Sequence, residues 1–466
     1  MNTIRKNLIY NILYQLLVMI LPIITVPYIS RVLGKEGVGI FSYTYSIVYY
    51  FMLITLLGIG NHGNRMIAKV RDNKEELSKT FQGIYSIQLA SGLLMVVAYI
   101  IYMVFINKKY EIVSWIQIVY IFSAIFDVNW FFFGLEEFKI TVSRNMLVKI
   151  ISLVLIFLLV KGENGLYIYV LIMSLSTLLS QLLLLPFLLK RISLCKIHIY
   201  DIRKHVRPVI IMFFPVVVVS IYTVMDIIML GELANVSYVG LYEQANKIVK
   251  IPLSIITALG TVMLPRISNL VSLNKKDKVL EYIEKSVSFM MFLAFPMWLG
   301  LVSISDRFIP LFLGEEFLGA SEIVKLMSIV IIFISFANIT RTQYLIPYER
   351  DKDYIISTSI GAIVNFLLNV ILIPSYQAVG ACIGTIGAEM FVMIYQCFAL
   401  RKELPLAKYA RICLKYFVGA TVMYCVIYQF GYIKLNNIII IVLQVIMGLI
   451  VYGAFNYMYI KSILKR

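Results

Sequence analysis

The stretch VGLYEQANKIVKIPLSIITALGTVMLP (239–265) is long and apolar enough to cross a membrane as a helix, yet it contains Lys247 and Lys250, less than one helical turn apart. A charged side chain at the centre of a bilayer costs about 2.5 to 3.5 kcal/mol on insertion scales. Glu243 and Asn246 share the lysine face by the three-to-four spacing of a helix. Two such cations predict an anionic partner or a water-filled cavity.

The composition of the whole chain places it among polytopic membrane proteins. Its 466 residues are 61% hydrophobic and only 14% charged, with a mean hydropathy of +0.88, which no soluble domain of this length tolerates. In a soluble protein the net charge of +17 would suggest a nucleic-acid partner. Here the basic residues flank apolar runs, which is typical of membrane topology, so we expect no nucleic acid.

Apolar runs of about 20 residues predict an all-α protein with fourteen transmembrane helices. With the N-terminus inside, most of the 42 lysines and arginines fall in cytoplasmic loops and termini, so both termini are predicted to be cytoplasmic. The loops are too short for a soluble catalytic domain. No GxxxxGK[ST] or HExxH motif occurs, so we expect no enzyme, no catalytic residue, no metal and no cofactor.

An internal repeat divides the predicted helices into two halves. A shift of 201 residues places VGIFSYTYSIV (38–48) on VGLYEQANKIV (239–249), and a shift of 213 places FGLEEFK (133–139) on IPYERDK (346–352). Repeats of the same orientation are related by an axis along the membrane normal, and cargo binds between them. We therefore predict two six-helix lobes with a parallel pseudo-twofold repeat, followed by two C-terminal helices. The predicted ranges are 1–190 for the N-lobe, 191–206 for a basic cytoplasmic linker, 207–403 for the C-lobe and 404–466 for the last two helices.

The repeat also predicts that the two lobes differ chemically. The positions that match the charged face of 239–265 are Ser42, Tyr45, Ser46 and Tyr49. One lobe therefore offers cations and the other offers hydroxyls and aromatic rings. The tyrosines are either ligand contacts or lobe packing, and the sequence leaves both open.

Two acidic residues lie within predicted spans of the second half. Asp226 is within reach of a long Lys247 side chain, and Glu389 lies deep in the predicted helix over 378–400. These carboxylates are either structural ion pairs or a site that couples transport to H⁺ or Na⁺.

The first half contains its own intramembrane charges. Asp127 and Lys149 lie at similar depths and are predicted to form an ion pair, with Arg144 nearer the cytosolic surface. We keep all three as candidates for an ion-pair or ion-coupling role.

Several segments resemble one family of transporters. They are LPIITVPYISRVLGKEGVGIFS (21–42), DVNWFFFGLEEFK (127–139), GLYEQANKI (240–248) and VMLPRIS (262–268). In order and spacing they are similar to bacterial polysaccharide repeat-unit flippases (Wzx-type) of the multidrug/oligosaccharidyl-lipid/polysaccharide exporter superfamily, over the whole chain.

The resemblance implies a monomer in the bacterial plasma membrane that moves undecaprenyl-diphosphate-linked oligosaccharides to the outer leaflet by alternating access, for capsule or O-antigen. Membrane lipids, a polysaccharide polymerase and glycosyltransferases would be its neighbours. Lys247, Lys250 and Arg31 would hold diphosphate and acidic sugars, and Tyr45 and Tyr49 would stack on sugar rings. A multidrug exporter, a peptidoglycan-precursor flippase and, among enzymes, a membrane polysaccharide polymerase remain as alternatives.

Overall fold

A computed structural model of the chain describes residues 2–461 except 163, 194, 432, 434, 458 and 460, and side chains from residue 21 onward except that of Tyr222. The described residues form helices and no strand. They divide into two compact units, Met1–Ser220 and Ile221–Arg466. The protein is therefore an all-helical, multi-pass membrane protein, as its composition predicts.

The first unit contains eight helices and most of a ninth. They are α1 Asn2–Leu56, α2 Ile59–Val70, α3 Lys74–Phe105, α4 Glu111–Ile125, α5 Asn129–Gly134, α6 Phe138–Leu159, α7 Gly165–Leu182, α8 Leu185–Arg191 and α9 Ile199–Leu233. The second unit begins within α9. Its other helices are α10 Val236–Ser272, α11 Lys276–Leu313, α12 Ala320–Met327, α13 Val330–Thr340, α14 Asp351–Leu400, α15 Leu406–Phe430 and α16 Asn437–Phe455, with a π-helical turn over Arg341–Leu345.

Twelve helical segments of the described residues are long and apolar enough to cross a membrane, and two of them are 50 residues long. Both of these long segments contain non-helical residues: Leu21–Val70 has Gly34 in α1 (φ 63°, ψ 179°) and Leu57 after α1 (φ 46°), and Asp351–Leu400 has Gln377 in α14 (φ 47°, ψ −123°). A side chain at the backbone angles of Gly34 would be strained. The chain therefore changes direction at a glycine in α1.

Apolar side chains cover much of the outer surface of these helices. On α3, Leu94, Ile101 and Phe105 are 64%, 51% and 75% exposed, respectively. Water would penalise such exposure, whereas hydrocarbon does not. This face of α3 is thus suited to contact with lipid.

The core of the first unit encloses a helix break at the end of α4. Gln88 of α3 donates its amide to the carbonyls of Ala124 (2.7 Å), Ile125 (3.1 Å) and Asp127 (2.9 Å). Its amide oxygen accepts the indole N–H of Trp130 at 3.1 Å. Backbone carbonyls freed within a membrane need such donors. One buried glutamine therefore allows α4 to end and α5 to begin inside the apolar core.

The second unit packs α11 against α15 and α16. The Ser288 and Tyr416 hydroxyls lie 2.7 Å apart, and Tyr452 donates to the Phe292 carbonyl at 2.9 Å. An apolar cavity of about 430 Å³ lies between α10, α11, α15 and α16. The two C-terminal helices thus pack on the second unit.

Two backbone features coincide under the predicted repeat. Glu136 (φ 60°) and Glu349 (φ 56°), which the shift of 213 residues aligns, both adopt the left-handed conformation. The shift of 201 places Gly34 on Asn235, the N-cap of α10. Both pairs of aligned positions therefore lie at helix breaks or helix ends.

Candidate functional site

The charged face of α10 lies on the less buried side of that helix. Lys247 Nζ is 3.4 Å from Glu243 Oε1, with the lysine side chain 38% exposed, and Lys250 is exposed. Asn246 is half-buried on the same face. The opposite face is buried within the second unit through Tyr242, Ala245, Ile248 and Val249. The structure thus brings Glu243 and Lys247 together, and its ion pair neutralises one of the two lysines.

Asp226 of α9 does not pair with Lys247, although the sequence places it within reach of that side chain. Its carboxylate is buried and accepts hydrogen bonds from the Tyr242 hydroxyl (2.7 Å), the Thr385 hydroxyl (2.7 Å) and the Asn369 amide (2.6 Å). The lysine reaches Glu243 instead because that carboxylate lies one turn away on its own helix. Asp226 therefore belongs to a separate, fully buried polar cluster.

The Asp226 cluster contains oxygen atoms suited to a small hard cation. Asn369 Oδ1 and Asn365 Nδ2 are buried and have no hydrogen-bond partner within the described part of the chain. Na⁺, like other hard cations, prefers carboxylate, amide and hydroxyl oxygens. That donor set is present in the carboxylate of Asp226, the unsatisfied oxygen of Asn369 and the hydroxyl of Thr385. The carboxylate of Asp226 can equally bind a proton.

Sequence reasoning missed the partners of Asp226. Asn365 and Asn369 lie one turn apart on α14, in an otherwise apolar run, and their amides contact each other at 3.3 Å. Polar residues at i and i+4 within a membrane span mark a face that is turned inward. That spacing is the signal from which this pair was predictable.

Glu389 is half-buried on α14. It makes no hydrogen bond or ion pair with any residue that the structure describes. Its role as an ion-coupling residue stays a prediction.

Tyr45 and Tyr49 belong to an aromatic cluster in the first unit. The Tyr45 ring lies 5.0 Å from that of Tyr120, 5.8 Å from that of Phe41 and 6.5 Å from that of Tyr49. Both tyrosines are half-buried, so part of each ring remains accessible. Packing thus accounts for these ring contacts, and ligand binding by the two tyrosines stays a prediction.

Two other predicted binding residues differ in exposure. Ser46 is 2% exposed and donates its hydroxyl to the carbonyl of Ser42 at 2.8 Å. This burial removes Ser46 from the candidate contact residues. Arg31 is exposed and lies three residues before the break at Gly34.

The predicted ion pair between Asp127 and Lys149 is wrong. Asp127 Oδ1 accepts from the Asn129 backbone N–H (2.9 Å) and side-chain amide (2.6 Å), in the break between α4 and α5. Arg144 is buried and donates to the Asn129 amide oxygen at 2.9 Å. Lys149 lines a cavity in the same unit, as Asn129 also does. The helix break directs the Asp127 carboxylate to the backbone N–H and side-chain amide of Asn129. The similar membrane depths of Asp127 and Lys149 do not predict that contact.

The described residues form twelve segments of membrane-spanning length, with polar clusters buried among them. Such buried polar groups are typical of membrane transporters. The profile of the family described as "Polysaccharide biosynthesis protein" matches residues 4–271, and the MatE profile matches residues 208–371. The chain belongs to the polysaccharide biosynthesis protein family. It is a polysaccharide flippase of the multidrug/oligosaccharidyl-lipid/polysaccharide exporter superfamily, as the sequence motifs predict.

Curated relatives agree with this assignment. The chain is 22% identical over 398 residues to the "Putative O-antigen transporter" of Escherichia coli (strain K12), covering 84% of this chain and 95% of the relative. It is 26% identical over 242 residues to the "Probable low-salt glycan biosynthesis flippase Agl15" of Haloferax volcanii, covering 51% of this chain and 50% of that protein.

Solved structures show the same fold. A structure described as "Lipid II flippase MurJ, inward closed conformation" superposes with a TM-score of 0.79 at 18% identity, over 97% of this chain and all of that one. An inward-facing multidrug transporter of the MATE family gives 0.61 at 12% identity, over 84% and 98% of the two chains. The relatives and the fold are those of transporters and flippases, and the protein is not an enzyme.

Proposed function

We propose that the protein flips lipid-linked oligosaccharide units from the cytoplasmic to the outer leaflet of a bacterial plasma membrane by alternating access. The observation that carries the proposal is the basic face of α10. Lys247 and Lys250 lie on the less buried side of a membrane-length helix, and only Lys247 has a carboxylate on that face. Net positive charge inside a transporter suits an anionic cargo such as a polyprenyl diphosphate.

We further infer fourteen crossings with both termini in the cytoplasm. A helix of 50 residues would be about 75 Å long, against about 30 Å of hydrocarbon. Each of the two 50-residue segments, Leu21–Val70 and Asp351–Leu400, has a non-helical residue that allows it to turn back. Counting each of these two segments as two crossings raises the number of transmembrane crossings from twelve to fourteen. Six crossings in each half and two at the C-terminus then follow the internal repeat.

Fixed cations make the transfer of a diphosphate physically reasonable. An isolated ion in a medium of low dielectric constant costs tens of kcal/mol, which a hydrated, cationic site removes in large part. Lys247, Lys250 and Arg31 would hold the diphosphate and acidic sugars, while Tyr45 and Tyr49 present ring faces to neutral sugars. Two negative charges that move outward across an inside-negative membrane gain roughly 4.6 kcal/mol per 100 mV.

The Asp226 cluster supplies a coupling site for H⁺ or Na⁺. Its carboxylate lies where α9, α10 and α14 meet through Tyr242, Asn369 and Thr385. An ion bound there would alter the contacts between these helices and thereby bias one conformation over another. Glu389, on the same long helix as Asn369, is a second candidate for the titrating group.

The test of cargo binding is a double substitution, Lys247→Gln with Lys250→Gln. We expect loss of surface polysaccharide in a strain that lacks the native gene, with normal amounts of the protein in the membrane fraction. The matched control is Lys275→Gln with Lys278→Gln, two exposed lysines at the junction of α10 and α11. Wild-type levels of surface polysaccharide in the first double variant would contradict the assignment.

Gene deletion separates this function from that of a peptidoglycan-precursor flippase. We expect a viable strain without surface glycan, because only the glycan depends on this transporter. Loss of viability that the wild-type gene alone restores would instead assign the protein to the peptidoglycan precursor.

A further inference from the structure

Two histidine side chains meet in a buried contact at the beginning of α9. His62 of α2 is 5% exposed and His205 of α9 is 2% exposed. His62 Nε2 lies 2.9 Å from His205 Nδ1, and the ring planes are 63° apart. The sequence contains three histidines in all, and the third, His198, is exposed. Two of the three imidazoles of the chain therefore share one hydrogen bond inside the first unit.

The histidine contact is part of a tight interface between the beginning of α9 and the elements α2 and α3. Val209 is fully buried in the same apolar cluster as Ile59 of α2. At Gly83 of α3, an added Cβ would lie 2.6 Å from the Asp201 carbonyl oxygen, and at Gly58 it would collide with the Val209 carbonyl oxygen. Glycine at these two positions lets the backbones approach closely enough for the two rings to meet.

The hydrogen bond between the rings depends on their protonation. A neutral imidazole has one donor and one acceptor, whereas an imidazolium has two donors, so the bond forms only while at least one ring is neutral. His205 Nε2 is buried and has no hydrogen-bond partner in the part of the chain that the structure describes. A positive charge on His205 would place a charged donor there without an acceptor, which is unfavourable. The docked contact therefore excludes a proton from His205.

The charges around the pair also oppose protonation. Three cations and one carboxylate act on the two rings from α2 and α9, namely Arg65, Lys69, Lys204 and Asp201. Asp201 already accepts from Lys204 Nζ at 3.2 Å and from the His198 backbone N–H at 3.1 Å. On α3, Lys79 is paired with Glu75 at 2.7 Å. A positive charge on either ring would thus meet more cations than available carboxylates.

We propose that His62 and His205 form a proton-sensitive latch, which holds the beginning of α9 on α2 and α3 while the rings are neutral and releases it in acid. An unperturbed histidine has a pKa of about 6.5, so the released segment binds protons that the docked segment excludes. Docking is therefore fully stable above about pH 6.5 and loses stability as the pH falls below that value. Because α9 continues from the first unit into the second, the latch makes the connecting helix sensitive to pH.

Hydrogen–deuterium exchange of the purified full-length protein in lipid nanodiscs tests the latch. Exchange over 199–209, corrected for the intrinsic effect of pH, is compared at about pH 7.5 and about pH 5.5, on either side of the ordinary histidine pKa. We expect release to increase about tenfold for one excluded proton and about a hundredfold for two, with exchange faster by the same factor. Exchange over α6, which contains no histidine, should not change. Equal protection of 199–209 at the two pH values would overturn the proposal.

Three variants separate the proton from the packing. His62→Asn with His205→Asn keeps two groups that can hydrogen-bond but do not titrate, so exchange should no longer respond to pH. His198→Asn, the matched control at the exposed histidine, should keep the wild-type response. Gly83→Ala crowds the Asp201 carbonyl and should speed exchange at both pH values while keeping their ratio.

Two outcomes with these variants would also overturn the latch. One is a wild-type pH response in the double asparagine variant, and the other is loss of that response in His198→Asn. The comparison of the wild-type protein at two pH values needs no substitution, so it stands even where a variant does not fold. Exchange is read without cargo, so the result is separate from that of the transport assays.

Discussion

The buried carboxylate of Asp226 offers the sharpest test of the second unit. Asp226→Ala removes the acceptor of three hydrogen bonds of 2.6 to 2.7 Å. Thr385 already donates to the Ala381 carbonyl at 3.2 Å and can keep that bond, and Tyr242 can then donate to the Thr385 hydroxyl, 2.8 Å away. The Asn369 amide keeps only a contact of 3.3 Å with Asn365 Oδ1. A buried donor that loses its acceptor costs about 1 to 3 kcal/mol, and we expect a loss of that size.

Asp226→Asn separates charge from packing. The substituted amide keeps an oxygen for the Asn369 donor, and the hydroxyls of Tyr242 and Thr385 can rotate to accept its new N–H groups. We therefore expect its stability to lie within about 1 kcal/mol of the wild type. Its response to an imposed Na⁺ or proton gradient should nevertheless disappear, because the negative charge is gone.

Thermal unfolding of the purified protein, followed by tryptophan fluorescence, measures the first effect. For a unit of this size about 1 kcal/mol shifts Tm by roughly 2 to 4 °C, so the alanine variant should melt roughly 2 to 12 °C lower. Flipping of a fluorescent lipid-linked glycan in proteoliposomes measures the second. A Tm for Asp226→Ala equal to that of the wild type would refute the structural reasoning. An undiminished ion response in Asp226→Asn would refute the coupling role.

Three further predictions concern the fold and the ion pair on α10. Gly34→Ala should lower Tm, because the backbone there (φ 63°, ψ 179°) costs other residues about 1 to 3 kcal/mol. The control is Gly60→Ala, in open space within α2, which should instead raise stability by about 0.5 to 1 kcal/mol. Equal effects of the two substitutions would contradict the helix break at Gly34. Gln88→Leu should reduce the yield of folded protein, since it leaves the carbonyls of the α4–α5 break unpaired. The same substitution at the half-exposed Gln82 should not reduce the yield. Similar yields from both variants would disprove the role of the Gln88 amide. Glu243→Gln should change stability by less than about 1 kcal/mol, because its partner lysine is partly exposed; a larger loss would mean that the ion pair holds α10 in place.

The helical plan was predictable because hydrocarbon selects on composition over about 20 residues. The segments Lys74–Phe105 and Ala320–Leu345 illustrate this, since the sequence predicts one helix over 80–106 and one over 320–340. The sharp turn at Gly34 was harder to predict from the sequence. It requires a backbone conformation, and a glycine inside an apolar run does not by itself specify one. The repeat nevertheless aligned this position with the start of α10.

The candidate site was predictable only in part. The helical spacing of Glu243, Lys247 and Lys250 placed them on one face, because that relation is local. The partners of Asp226 were not predictable in this way. Asn369 and Thr385 are 143 and 159 residues away along the chain, and only packing brings them together.

The sequence by itself determined that this chain spans a membrane many times and carries cations on one face of α10. Both properties follow from hydrophobicity and helical periodicity, which act over a few turns. Tertiary structure alone decided which polar groups meet. It gave Asp226 three neutral donors instead of Lys247, and it separated Asp127 from Lys149 by turning the chain at a helix break. In a low-dielectric interior each buried polar atom takes the nearest donor or acceptor that packing supplies, and membrane depth alone does not specify that neighbour.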